Sequence, residues 1–180
     1  MVYVALLRGI NVGGNRIVDM KTLGNVFEAA GMTDVRTYIN SGNVVFSMKL
    51  RSRERIAELL EKAIEKRFGF DVDVLVLSAA DLRRIVAAIP TKWTNDAAWK
   101  CDVFFLWKDV DRPSILDELG VNHEIETVRY TRGAVIWGID RKNVSKSRLP
   151  KLVGTARYKR MTIRNCNTAR KLLELTGARG

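Results

Sequence analysis

Twice along the chain the same succession of apolar patterns appears, and this recurrence limits the fold more than any other feature. Val2 to Leu7 is a short strand-like run, and Asp19 stands where it would cap a helix carrying Leu23, Val26, Phe27 and Ala30. Val35 to Ile39 and Asn43 to Ser47 flank Asn40, Ser41 and Gly42, residues suited to a tight hairpin turn. Ser52 to Phe68 has one apolar helical face, Val72 to Leu77 reads as a strand, and Ser78 with Asp81 opens a capped helix that Pro90 ends after Ile89. After residues 90–100, which lack a clear period, the order begins again. Asp102 to Trp107 is a strand, Pro113 to Leu119 a short helix, and Ile125 to Tyr130 and Ala134 to Ile139 a hairpin about Gly133. Ser145 to Val153 reads as a short basic helix weakened by Pro150, Met161 to Arg164 as a strand, and Asn167 or Thr168 caps a last helix through Leu175. Each half spells βαββαβ, so the expected fold is α+β, a tandem duplication of two ferredoxin-like lobes with trailing helices. The expected boundaries are residues 1–89, a junction over 90–100, and 101–180. A single mixed sheet covered by helices is the rival architecture.

With 47% hydrophobic and 28% charged residues in 180, the chain has the composition of a soluble globular protein. No apolar run approaches the roughly 18 to 20 residues of a membrane span, and the N-terminus lacks a signal-peptide pattern, so the expected compartment is the cytoplasm without membrane attachment. Cys101 and Cys166 have no metal-ligand spacing and are expected as reduced, packed thiols, with no metal and no cofactor. The net charge of +11 is concentrated: residues 1–139 hold 19 Lys and Arg against 18 Asp and Glu, and residues 140–180 hold 12 against 2. Such a segment attracts phosphorylated small molecules, nucleic acid or acidic partners, unless it is simply a solvated surface.

Two features point to anion binding. The stretch LLRGINVGGNR joins the first strand to the first helix, and in a βαββαβ lobe it lies at the same end of the sheet as the hairpin turn. That end gathers Arg8, Gly9, Asn11, Gly13, Gly14, Asn15 and Arg16 with Asn40, Ser41, Gly42 and Asn43. Glycine amides, a helix N-terminus and arginine forks are groups that hold oxyanions. The same residues also suit a loop that only turns the chain, and the stretch fits neither a P-loop nor G-x-G-x-x-G. The second feature is the basic patch Lys146, Arg148, Lys151, Arg157, Lys159, Arg160 and Arg164, with Ser145, Ser147, Thr155 and Tyr158 among the cations, types that contact a sugar-phosphate backbone. It lacks the aromatic signature of an RNA-recognition sheet.

Catalytic groups are scarce. His123, the only histidine, sits between Asn122 and Glu124 in a connector, and Asp102, Asp109 and Asp111 lie beside Lys108 and Arg112, which suits surface pairing better than a metal. Cys166 precedes the last helix, where a thiolate is stabilised, although a small buried side chain suffices there. Trp93 and Trp99 suit either base stacking or packing in the junction. Acylphosphatases hold phosphate in the loop after their first strand, and by that analogy of fold Arg16 and Asn43 are the candidates for a hydrolase that works by electrostatic stabilisation. A protein-interaction scaffold is a third reading, and the sequence does not report oligomeric state.

YVALLRGINVGGNR, DMKTL, TYINSGNVVFS and MTIRN-x-NT followed by a KLLEL helix resemble the uncharacterised bacterial family catalogued as domain of unknown function sixteen-ninety-seven. The resemblance spans nearly the whole chain. It implies a cytosolic α+β protein with duplicated ferredoxin-like halves, and it implies no activity. Cys166 stands where this family more usually has a tryptophan.

Overall fold

The computed structural model describes residues 1–177. The chain forms two compact units: Met1–Leu82 together with the stretch from Leu172, and Arg83–Lys171.

In the first unit β1 (Val2–Leu7) is followed by α1 (Met20–Ala29), β2 (Thr33–Tyr38), β3 (Asn43–Ser47), α2 (Arg53–Phe68), β4 (Val74–Ser78) and α3 (Ala79–Ala87), whose last residues belong to the second unit. The four strands form one sheet in the order β2-β3-β1-β4, and every neighbouring pair is antiparallel. Strand periodicity sends Tyr3, Ala5 and Leu7 of β1 to the same face as Val44 and Phe46 of β3 and Val74 and Val76 of β4. Leu23 and Phe27 of α1 and Ile56, Leu60 and Ile64 of α2 cover that face. Phe46 stacks on Tyr3 at 5.8 Å and meets Phe27 edge-on at 5.5 Å, so truncating it would remove about 3 to 5 kcal/mol. Side-chain caps set the helix starts. Asp19 accepts from Thr22 N at 2.7 Å and Ser52 from Arg55 N at 3.3 Å, and Ser78 and Asp81 cap each other's backbone amides as the sequence pattern predicts.

In the second unit β5 (Trp99–Leu106), α4 (Ile115–Glu118), β6 (Glu126–Thr131) and β7 (Ala134–Asp140) lead into two 3-10 helices, Arg141–Lys146 and Leu149–Leu152. Then come α5 (Ala156–Lys159), β8 (Met161–Asn165) and α6 (Cys166–Leu175). The sheet order is β6-β7-β5-β8, again antiparallel throughout. Phe104, Leu106, Val135, Trp137 and Ile139 form its core with Ile115 and Leu119 around α4 and Leu152 from the second 3-10 helix.

The expected helix over residues 145–153 does not form. Pro150 has no amide to donate and enters at the start of a 3-10 turn, and Gly154 at φ 89° stops continuation into α5. The position filled by the 16 residues of α2 in the first unit is therefore occupied by short turns in the second. Among the described residues no helix is long and apolar enough to cross a membrane.

Candidate functional site

Because β1 and β2 are both antiparallel to β3, they point the same way and bring the β1–α1 loop beside the β2–β3 turn. Leu7 N donates to Gly42 O at 2.8 Å, and the Asn11 side chain donates to Asn40 O at 2.8 Å and Val18 O at 3.0 Å while accepting from Val18 N at 2.8 Å. Both glycine-rich pieces predicted to converge thus meet. Much of their polar inventory, however, holds the loops themselves. Asn43 is fully buried, with its amide given to Tyr38 O at 3.0 Å and Ser41 Oγ at 2.9 Å. Gly42, at φ 74°, lies so close to β1 that a Cβ there would stand 2.7 Å from Leu7 Cβ and 2.8 Å from Ile10 Cδ1.

The tip of the β1–α1 loop is a miniature hairpin. Val12 and Asn15 bridge, Asn15 N donates to Val12 O at 3.1 Å, and Gly13 and Gly14 sit between them at φ 60° and 77°, the signature of a type I′ turn. Gly9, Gly13 and Gly14 are exposed, and their amides make no hydrogen bond among the described residues. Gly13 and Gly14 have the same handedness, so their amides do not converge in the alternating arrangement of an anion nest. Arg8 N is used by Asp73 O at 3.0 Å, and Arg16 is exposed with its guanidinium 5.9 Å from the Phe70 ring centroid. A shallow cleft of about 370 Å³ opens beside the tip, lined by Asn11, Gly14, Ile17, Asn40 and Asp19 among others. Asp19 is its one charged lining group. The Thr22 hydroxyl and amide hold that carboxyl below its usual range, so the helix N-terminus already carries a negative charge.

The basic segment of the second unit separates into two groups. Arg157 pairs with Glu118, and Arg160 grips Asp109 with bonds of 2.7 to 3.1 Å and covers the Trp107 ring at 5.4 Å. Arg164 is buried, donates to Thr162 Oγ1 at 3.0 Å and Ile163 O at 2.8 Å, and is brought down to about 10 by that burial. These arginines serve the fold. Lys146, Arg148, Lys151 and Lys159 are exposed, and none meets a carboxylate among the described residues.

Their frame is fixed by a residue that the sequence reading passes over. Glu126 is buried at the start of β6 and accepts from Trp137 Nε1 at 3.2 Å, Asn122 N at 2.6 Å and the Ser147 hydroxyl, which ties the basic segment to the sheet. The signal for it was present: Glu126 is in phase with Val128 and Tyr130, whose side chains pack toward the core. Elsewhere His123 is exposed in a turn. Asp111 holds the hairpin through Tyr130 OH at 2.9 Å and Gly133 N at 2.8 Å, and no group of three metal-ligating side chains occurs among the described residues.

Comparison with known proteins adds a family and a fold. The family model described as Protein of unknown function (DUF1697) matches residues 1–137. No curated protein matches the chain. A solved structure of a conserved bacterial protein from Streptococcus pneumoniae is similar at 28% identity and a TM-score of 0.82, over 97% of this chain and 98% of that one.

Proposed function

The chain belongs to the family Protein of unknown function (DUF1697), and from that premise we propose that it is an anion-binding module whose second unit holds the phosphate backbone of nucleic acid. The observation that carries this reading is the division among the cations. Arg157, Arg160 and Arg164 are engaged within the protein, whereas Lys146, Arg148, Lys151 and Lys159 face water without carboxylate partners among the described residues. A surface of this kind neutralises phosphates without reading bases. The glycine-rich loop is the weaker receptor for an anion, because Asp19 lines its cleft and occupies the start of α1. A hydrolase built on Arg16 and Asn43 gains no support, since Asn43 is buried and bonded to its own turn. In the same proposal each unit is a ferredoxin-like lobe, a reading supported by the shared strand order of β2-β3-β1-β4 and β6-β7-β5-β8.

The test is the anisotropy of a fluorescent DNA duplex titrated with the full chain at several salt concentrations. Affinity is expected to fall as salt rises, and to be lost when Lys146, Arg148, Lys151 and Lys159 are replaced together by alanine. Binding that ignores salt, survives that replacement, or is absent at micromolar protein in low salt overturns the reading.

A further inference from the structure

The two cysteines, 65 residues apart in sequence, meet in the second unit. The β5–β8 register pairs Val103 with Arg164 and Asp102 with Asn165, so the next step brings Cys101 opposite Cys166, the first residue of α6. Opposed residues of an antiparallel pair hold their Cα atoms about 4.5 to 5.5 Å apart, inside the span of about 4.4 to 6.8 Å that a disulfide bridges. Both thiols are free and fully buried, and their ionisation is coupled, each shifting the other's in the opposite direction. Two packed small side chains need no cation beside them, yet Arg170, one turn along α6, aims Nη1 at Cys166 Sγ from 3.7 Å and is steadied by Nη2 on Pro90 O at 3.2 Å.

We propose that Cys101 and Cys166 are a dithiol that a hydroperoxide oxidises to an intramolecular disulfide between β5 and the start of α6. Cys166 is the attacking sulfur. Its thiolate, facing the Cys101 S–H, Arg170 and the N-terminus of α6, takes the distal oxygen of the peroxide; the O–O bond breaks and the remaining alkoxide leaves as alcohol, or as water from hydrogen peroxide, after protonation. The Cys101 sulfur then attacks the Cys166 sulfenic acid, the S–S bond forms, and hydroxide leaves as water with the proton lost from Cys101. In sum two thiols are oxidised by two electrons and one hydroperoxide is reduced to alcohol and water.

The cover over the pair is the segment between α3 and β5, which contains no helix or strand. It is held through Trp93 O, which lies 3.6 Å from Cys166 Sγ and, like Asn167 Oδ1 at 3.6 Å, can accept the S–H while that sulfur is protonated, through Asn95 O on Asn167 Nδ2 at 3.2 Å, and through Pro90 O on Arg170. Disulfide formation removes the first of these contacts.

The experiment treats the native full-length chain with hydrogen peroxide, alkylates it under denaturing conditions, and maps the peptides by mass. The expected result is a reducible peptide pair joined through Cys101 and Cys166, with neither sulfur alkylated. With Cys101→Ser, a sulfenic acid is expected on Cys166 and is trapped by dimedone; with Cys166→Ser, loss of the Cys101 thiol slows at least about tenfold. The proposal is overturned if both cysteines are still alkylated after peroxide excess, or if the disulfide joins two chains. It is equally overturned if Cys166 goes to sulfinic acid while Cys101 stays a thiol, or if Cys166→Ser leaves the Cys101 rate unchanged. The wild-type measurement decides without either variant.

Discussion

A single methyl group decides whether the first-strand loop can close. Gly42 combines a left-handed φ of 74° with backbone pressed against Leu7 and Ile10, so an added Cβ faces both strain and overlap. Gly42→Ala is expected to lower stability by roughly 2 to 4 kcal/mol, read as a lower urea midpoint with an unchanged slope. Gly13→Ala meets open space and carries only the left-handed strain, so its effect should be the smaller of the two. At Cys166 the prediction concerns pH. The Cys101 S–H favours the Cys166 thiolate most, burial opposes it, the Arg170 cation favours it further and Asp102 disfavours it, so Cys166 ionises below the ordinary thiol range; Cys101 is pushed up by the same contact. Iodoacetamide, which reaches the buried Cys166 only when its cover opens, should therefore modify it at a rate that levels off at lower pH than the rate of an ordinary thiol. The turn role of Gly42 was visible in Asn40-Ser41-Gly42-Asn43, because few residues tolerate such backbone. The cysteine pair was hidden, since only the strand register reveals which residues of β5 and β8 stand opposite.

At the scale of elements, one carboxylate holds the most irregular part of the chain. Glu126→Ala strips the acceptor from Trp137 Nε1, Asn122 N and the Ser147 hydroxyl at once, and is expected to cost about 3 kcal/mol. The loosened 3-10 segment should then be cut faster by trypsin at Lys146, Arg148 and Lys151 under native conditions, and unchanged cleavage would show that Ser147 does not anchor it. Strands, hairpins and capped helices were legible because each rests on local rules: alternation of apolar residues, glycine at turns, and Ser or Asp at helix starts. The stretch from Ser145 to Val153 was not, because its apolar spacing suits a helix while Pro150 and Gly154 divide it into turns. Among the predicted cations, sequence alone could not separate Arg157 and Arg160 from their exposed neighbours, since Glu118 and Asp109 lie some 40 to 50 residues away in the chain.

For the whole molecule the charge distribution sets a measurable slope. If the four exposed cations each neutralise one phosphate of a duplex, the logarithm of affinity should fall with the logarithm of salt at a slope of about −3.6, a loss of roughly 150-fold between about 50 and 200 mM. Removing Lys151 alone should make the slope shallower by about one unit, while Arg16→Ala should leave it unchanged. The two-sheet architecture could be read from the recurrence of apolar patterns. Within α6 the residues up to Lys171, with Cys166 and Arg170, belong to the second unit, and the described residues from Leu172 belong to the first. That crossing has a consequence during synthesis. The sheet of β1 to β4 can assemble on the ribosome early, but the unit it belongs to stays unfinished until α6 has emerged from the exit tunnel, so the part of the protein made first is among the last to be completed.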